Sequence, residues 1–179
     1  MASLLTIRRA LQGGLVFQGE YKLMKRIEVR LSLSVVAPLL DAIKAVADLL
    51  QNSLAASLEF CDIDDDIRQF WRDELVSGQN ADIAKLLGLF GQDFFSSGVI
   101  VLDEENAEPI VRACAAVRLR LREEYLKGIS DELLETGDVE VEQLPEAARK
   151  FFMCYLFLAT MQELIIQHLE GEGEDGENI

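Results

Sequence analysis

The sequence predicts a mainly α-helical, bundle-like single domain with a small antiparallel sheet at its N-terminal end. Three observations predict this fold: a long apolar helix near the C-terminus, several segments with apolar residues at helical spacing, and one alternating segment near the N-terminus. Half of the 179 residues are apolar and 27% are charged, which suits a domain with a substantial core. We expect one α-rich domain at residues 1–169, with the β element in 1–33, helices in 34–169, and a disordered acidic tail at 170–179.

The helix predicted at residues 144–170 is expected to lie at the centre of the fold. Pro145 suits a first helical turn, and no helix breaker follows until Gly171. Between residues 151 and 161 the one polar position is Thr160, so this part of the helix is apolar almost all round. A helix of this kind is buried in a core or between chains. The apolar run is about half as long as the roughly 20 residues that a membrane span needs.

The N-terminal part of the chain predicts β structure. Residues 26–33 alternate between polar and apolar side chains, with Ile27, Val29, Leu31 and Leu33 on one face of a half-buried strand. Two apolar runs in residues 4–17 flank a Gly-Gly pair, which predicts a hairpin, with a helical start as the alternative. The resulting sheet of two or three strands is too small to stand alone and must lie against helices.

Between these ends, capping residues and glycines divide the chain into further helices. Ser34 is predicted to cap a helix that ends near residue 53, and a short helical stretch follows to about residue 63. An acid-led helix is predicted to end at Gly78, and another helical stretch follows at 81–98. Residues 99–102 are predicted to be a brief extended link. Asn106 is predicted to cap a long helix that continues to residue 128.

The acidic cluster before the third helix could suggest a calcium loop. Asp62, Asp64 and Asp66 have the required spacing. The sixth position should be glycine but is Ile67, and the twelfth should be glutamate but is Asp73. We therefore interpret the cluster as a helix cap with acidic residues at the positive end of the helix dipole.

The formal net charge of −15 argues against two classes of partner, nucleic acids and anionic membranes. Binding to nucleic acid requires clustered Lys and Arg to displace phosphate counterions, and an anionic membrane surface also attracts basic segments. The sequence therefore predicts neither a nucleic-acid partner nor a membrane partner.

The cysteines and the N-terminus indicate the compartment. Cys61, Cys114 and Cys154 are far apart, lie among apolar residues, and form no CxxC pair. We interpret them as buried thiols in a reducing cytoplasm. The N-terminus lacks the continuous apolar segment of a signal peptide, which also predicts a cytoplasmic protein.

Known catalytic motifs are absent from the sequence. The single histidine, His168, belongs to neither a Glu-x-x-His nor an HExxH metal-binding pattern. The sequence also contains no Walker loop, nucleophile elbow or Rossmann fingerprint. We therefore predict no catalytic residue, no metal ligand and no cofactor. Whether the protein is an enzyme is left open, with the balance against it.

Two sets of residues are candidates for binding. Met153 and Leu156 are apolar on a stripe of the central helix whose ends are polar, so they must be covered by the N-terminal sheet or by a second copy. Glu163 interrupts an apolar half of the same helix, and a buried carboxylate requires a partner. Arg118 and Arg122 on the other long helix are the natural partners, as an ion pair or as the lining of a pocket; the alternative is that Glu163 faces water.

Two blocks of sequence stand out, LDEENAEP…VRLRLRE at residues 102–123 and YLFLATMQELI at residues 155–165. Together they resemble a bacterial domain-of-unknown-function family, number 2017. Arg118 and Leu119 correspond to the helix core of the family, and Leu158, Gln162 and Glu163 correspond to its Leu-x-x-x-Gln-Glu ending. The resemblance extends over most of the chain after about residue 60.

The resemblance implies a helical protein and carries over no catalytic residue, because the family has no assigned activity. In some actinobacteria its members look to be encoded near a proteolytic adaptor, which implies a regulatory or adaptor role. The Asp-rich segment at 62–66 and the Gly-acid tail depart from the family pattern.

We expect a non-enzymatic, cytoplasmic interaction or regulatory module that binds another protein or forms a homodimer through Met153 and Leu156. The alternative is an enzyme or a small-anion-binding protein with a pocket between helices 106–127 and 145–170. In that alternative, Arg118, Arg122 and Glu163 line the pocket, and the arginines take a carboxylate or phosphate group. A purely structural subunit of a larger complex is the third hypothesis.

Overall fold

In a computed structural model of the chain, the structure describes residues 26–56, 64–136, 139 and 141–170. The elements are β1 (Arg26–Arg30), α1 (Leu33–Leu50), α2 (Asp65–Gly88), α3 (Gln92–Ser97), β2 (Val99–Asp103), α4 (Ala107–Tyr125), α5 (Asp131–Thr136) and α6 (Glu146–Ile165). A 3-10 turn at Val141–Gln143 precedes α6, and a π-helical turn at Ile166–Glu170 continues it. The predicted mainly α fold with a small antiparallel sheet near the N-terminus is confirmed. The predicted hairpin at 4–17 and the tail at 171–179 lie outside the described residues, and the division into one domain stays a prediction.

Helix α6 is continuous and lies in the core, as its apolar composition predicts. It packs most extensively against α4 and then against α1. The buried side chains lie around most of its circumference: Phe152, Cys154, Tyr155, Phe157, Leu158, Met161, Leu164 and Ile165. Burying so many large side chains on one helix makes α6 the main source of hydrophobic stabilisation in this fold.

Helix α4 carries a stripe of apolar side chains along one side. Ile110, Cys114, Val117 and Leu121 are fully buried. Tyr125, at the end of the stripe, is 36% exposed. Its ring nevertheless stacks on the ring of Phe151 with centroids 3.7 Å apart. The packed pair of α4 and α6 is therefore the scaffold for any site between them.

The sheet has two strands, β1 and β2, which pair antiparallel. Ile27 lies opposite Leu102 and Val29 lies opposite Ile100, and all four side chains are buried. The alternation predicted for residues 26–31 is confirmed, whereas Leu33 is the first residue of α1 and is 37% exposed. The extended conformation predicted for residues 99–102 is confirmed, but these residues are the partner strand of the sheet and not a link.

Helix α2 passes straight through Gly78, so the predicted stop at this residue was wrong. The physical reason lies in the next two side chains, which hold the chain after α1. Gln79 accepts a hydrogen bond from the Ala55 N–H at 2.9 Å and donates to the Ser53 carbonyl at 3.0 Å. Asn80 donates to the Gln51 carbonyl at 2.8 Å. These bonds satisfy backbone groups at the end of α1 and stabilise the arrangement in which residues 78–80 are helical.

The predicted N-terminal cap is confirmed for α2, whereas the cap of α1 is a different residue from the one predicted. Asp64 precedes α2, and its side chain accepts a hydrogen bond from the Asp66 N–H at 3.0 Å, which is the predicted cap rather than a calcium loop. At α1 the capping position is Ser32, not Ser34, and the two hydroxyl oxygens lie 3.0 Å apart. Residues 53–56 of the predicted short helix are not helical, and the rest of that prediction lies outside the described residues.

A glycine with positive φ connects the helical part to β2. The predicted helical stretch at 81–98 is interrupted after α2, and the short α3 ends at Gly98, whose φ is 70°. The Leu31 N–H donates to the Gly98 carbonyl at 2.7 Å. This contact joins the end of β1 to the start of β2. A side chain would be strained here, so glycine is required by the turn.

Candidate functional site

Arg118 is the central polar residue of the α4–α6 interface. Its guanidinium donates one hydrogen bond to Gln162 Oε1 at 2.5 Å and another to the Tyr155 hydroxyl at 2.9 Å. Its central carbon also lies 4.4 Å from the centre of the Tyr155 ring. Gln162 in turn donates to the Val111 carbonyl at 3.0 Å. The arginine is therefore held in place by two neutral side chains of α6, one of which also bonds to the backbone of α4.

The positive charge of Arg118 has no acidic partner in the described part of the chain. No carboxylate oxygen lies within 4.0 Å of its nitrogens among these residues, although the other arginines of α4 form ion pairs. Arg118 Nε is buried and has no hydrogen-bond partner among them either. The guanidinium is only partly buried, and a cation with a buried, unsatisfied N–H and no counter-ion suits a group that attracts an anion.

The structure does not bring Arg122 and Glu163 to Arg118. Arg122 pairs with Asp131 of α5, with the Arg122 Nε donating to a carboxylate oxygen at 2.7 Å. Glu163 is exposed and accepts a hydrogen bond from Gln167 at 3.2 Å. No ion pair joins Glu163 to either arginine, so the alternative that it faces water is the one the structure favours. The three residues therefore do not form one cluster.

Met153 and Leu156, predicted to mediate self-association, are half-buried. Both side chains pack against the hydrophobic core. The two side chains are thus neither fully buried nor part of an exposed patch. Self-association through this stripe stays a prediction.

The described cysteines, Cys114 and Cys154, are buried free thiols on α4 and α6. Burial raises the pKa of each thiol from 9.0 to about 12, against the opposing effect of Arg118 on Cys114 and of Lys150 on Cys154. A neutral buried thiol is a poor nucleophile, so these residues act as small apolar core groups.

The thiols should make the protein less stable at high pH. An unfolded thiol loses its proton above about pH 9, whereas the folded one keeps it until about pH 12, so each thiol lowers the free energy of unfolding by up to roughly 1.4 kcal/mol per pH unit in this window. Urea unfolding of the wild type and of Cys114→Ala at increasing pH measures this effect. The wild type should lose stability faster, and parallel losses would contradict the assignment.

The described ranges also bear on metal binding and on membrane insertion. Within them, no group of three or more His, Cys, Asp or Glu side chains is placed to hold a metal ion. Within the same ranges, no helix is long and apolar enough to cross a lipid bilayer.

The N-terminal half of α2 carries an exposed apolar surface that sequence reasoning missed. We call residues 65–78 the arm and its four large apolar side chains the arm stripe. The stripe consists of Ile67, Phe70, Trp71 and Leu75, which are 48%, 62%, 46% and 45% exposed. Their spacing of three and four residues places them on one face of the helix. The buried residues of α2 are Ile83 and Leu86, both beyond the arm.

The arm stripe does not continue the core-facing side of α2. At about 100° per residue, its centre lies about a third of a turn from the face that carries Ile83 and Leu86. The packing of α2 on α1 and α4 therefore leaves the stripe directed away from those helices. A contiguous exposed apolar patch of this kind marks an interaction surface more often than a random surface feature.

The arm is acidic. With the capping Asp64, residues 64–78 contain five acidic and two basic residues, a formal net charge of −3. Glu74 is exposed and lies within the stripe itself, four residues after Phe70 and three after Trp71. Apolar side chains surrounded by negative charge are complementary to a segment that is both apolar and basic.

The sequence contained the signal for this surface. The helix was predicted from its acidic first turn and from Gly78, and its apolar residues at helical spacing were not considered separately. The distinguishing clue is that the arm has acidic residues on several faces and one within its apolar face.

A model of the domain of unknown function DUF2017 matches residues 36–169 of the chain. The chain belongs to the DUF2017 family. The match begins at residue 36, well before the start near residue 60 that the sequence motifs suggested. No curated protein and no solved structure matches the chain.

The DUF2017 match includes both candidate surfaces. It contains the arm on α2 and the Arg118 cluster between α4 and α6, so both belong to the unit that defines the family. It leaves out residues 1–35, which comprise the N-terminal segment, β1 and the start of α1.

Proposed function

We propose that this DUF2017 protein is a non-enzymatic interaction or regulatory module that binds a protein partner through the arm. The observation that supports it is the exposed arm stripe, in which Phe70 is 62% exposed. Because the arm is acidic, the partner presents a basic amphipathic helix or segment. Its apolar side chains pack on the stripe, and its Lys or Arg side chains meet Glu74 and the neighbouring acids.

The test uses a synthetic peptide of about 18 residues, composed of Leu and Lys, with Leu at helical spacing. A scrambled peptide of the same composition is the control ligand. Replacing Phe70 and Leu75 together with Ser should weaken binding of the amphipathic peptide at least about tenfold, because the stripe supplies the apolar contact. Calorimetric titration measures the affinity.

The matched control variant is Leu49→Ser, since Leu49 is 50% exposed but lies on α1. It should bind the peptide as the wild type does. Equal affinity for the amphipathic and scrambled peptides, or an unchanged affinity in the Phe70→Ser, Leu75→Ser variant, would rule out the arm as the docking element.

The proposal places the protein in the cytoplasm. Buried free thiols at Cys114 and Cys154 support a reducing compartment. A homodimer through Met153 and Leu156 remains part of the proposal as a second mode of association, supported by their partial exposure on α6. If Met153 and Leu156 form the dimer contact, Met153→Glu reduces the mass measured by light scattering to that of one chain. An unchanged mass in this variant would argue against the contact.

Binding of a small anion at Arg118 is the second candidate function. It is supported by the absence of a carboxylate near this guanidinium in the described ranges and by the buried, unpartnered Nε. The chemistry favours a carboxylate or a phosphate, which accepts two hydrogen bonds from a guanidinium. This role does not require Arg122 or Glu163.

Thermal unfolding in a panel of inorganic phosphate and simple dicarboxylates tests the second candidate. An anion that binds Arg118 raises the melting temperature with increasing concentration. The increase should vanish in Arg118→Met, which keeps the length of the side chain, and persist in Arg122→Met. A panel without any shift, or a shift that survives Arg118→Met, argues against the site.

A further inference from the structure

The N-terminal segment of the chain, residues 1–25, has the chemistry that the arm stripe requires. It contains four basic residues and one acidic residue, a formal net charge of +3 in a chain whose total is −15. Thirteen of its 25 residues are apolar. The remaining residues therefore carry −18, so the basic character is concentrated in this segment, while its apolar fraction matches that of the whole chain.

The segment and the arm are complementary in charge as well as in apolarity. The arm with its cap carries −3, and the segment carries +3. Opposite charges steer two surfaces together and select against wrong partners, while the burial of apolar area supplies most of the free energy. A second copy of the arm is a poorer occupant, since it would bring five further acidic residues to a surface that already has five.

The segment is long enough to reach the arm from where it joins the fold. It leads into Arg26, the first residue of β1. An extended chain of 25 residues spans up to about 80 Å, whereas the whole of α2 is only about 36 Å long. When extended, the segment is thus more than twice as long as the helix that carries the arm stripe.

We propose that residues 1–25 of the same chain dock on the arm stripe and compete there with the protein partner. This inference rests on the proposed function, and it adds an intramolecular regulator to the same surface. The family match contains the arm but not this segment, so the regulator is a feature of this chain outside the matched unit. A partner must displace the segment. The apparent affinity of the partner is therefore its intrinsic affinity multiplied by the fraction of molecules in which the arm is uncovered.

Trp71 provides a direct measurement, because it is the single tryptophan of the chain and belongs to the stripe. The full-length protein is compared with a full-length variant in which Arg8 and Arg9 are both replaced by Glu. Releasing the segment should shift Trp71 emission to longer wavelength and raise its quenching by acrylamide about twofold, as a covered indole becomes accessible to water. A second full-length variant, Leu4→Ser with Leu11→Ser, removes apolar contacts instead of charge and should act in the same direction.

Circular dichroism melting confirms that each variant is folded, and a synthetic peptide of residues 1–25 should reverse the change in both. The change should be the same across about a hundredfold range of protein concentration, because the contact is within one chain. Quenching that is equal in the wild type and both variants overturns the inference. So does a wild-type signal that depends on concentration, which would place a second copy on the stripe.

The amphipathic Lys-Leu peptide separates this inference from the proposed function. If both hold, the peptide binds the Arg8→Glu, Arg9→Glu variant more tightly than it binds the wild type. If the peptide binds the stripe with equal affinity in both proteins, the arm still docks partners but residues 1–25 do not regulate it. If the peptide does not bind the stripe while Trp71 still responds to the variants, the arm is a packing site for the segment alone.

Discussion

Phe157→Ala should lower the free energy of unfolding by about 3–5 kcal/mol, because it removes a large ring from the centre of the core. Phe157 is 2% exposed and lies in the middle of α6. Its ring centre is 6.2 Å from that of Phe90, which in turn makes an edge contact with Phe94 on α3 at 5.2 Å. The ring thus connects the central helix to the segment that leaves α2, and neighbouring backbone cannot collapse fully into the space.

Urea denaturation followed by circular dichroism measures this loss. Phe95→Ala is the matched control, since Phe95 has the same side chain but is 53% exposed on α3. The control should lose less than about 1 kcal/mol. Similar losses at the two positions would contradict the placement of Phe157 in the core.

Gly98→Val should lower the free energy of unfolding by about 2–3 kcal/mol. The backbone at this position has a φ of 70°, which a β-branched residue adopts only with strain. A Cβ would also lie 3.0 Å from the Leu31 carbonyl oxygen, at the point where β1 and β2 meet. The loss of stability has two causes: the strained backbone conformation and the close approach of the two strands.

The control for this prediction is Gly78→Ala, which should have the opposite sign. Gly78 lies inside α2, and a Cβ there would have no neighbouring atom within 4 Å. Alanine is a better helix former than glycine by roughly 1 kcal/mol, so the variant should unfold at a higher urea concentration than the wild type. A stabilised Gly98→Val protein, or a destabilised Gly78→Ala protein, would show that the backbone assignment at that glycine is wrong.

The sequence was sufficient to predict elements whose contacts are local in the chain, and elements whose composition is compatible only with burial. The middle of α6 is apolar around its circumference, so burial follows from composition alone. The alternation in β1 determines which side chains face the core. The cap at Asp64 involves an N–H two residues away, so the sequence was sufficient to predict it.

Contacts between distant residues decided the features that the sequence did not predict. Helix α2 continues through Gly78 because Gln79 bonds to groups 24 and 26 residues earlier in the chain. Strand β2 pairs with β1 across about 70 residues, and a short apolar run carries no information about a partner that far away. Neither outcome is encoded in the spacing of neighbouring residues.

The candidate site shows the same division within one interface. The sequence identified Arg118 and the pairing of its helix with the central helix, and it left open whether Glu163 is the partner of Arg118 or faces water. The actual partner is Gln162, one residue earlier. One residue corresponds to a rotation of about 100° on a helix, and a helix that is apolar almost all round does not indicate which side faces its neighbour.

By itself, the sequence determined a mainly α fold, a buried central helix, a half-buried strand and an acidic chain with a basic, apolar N-terminal segment, since each depends on composition or on short-range periodicity. The tertiary structure alone decided which helical face is covered. It left the arm stripe exposed and Arg118 without an acidic partner among the described residues, because the rotation of each helix is set by packing against residues far away in the chain.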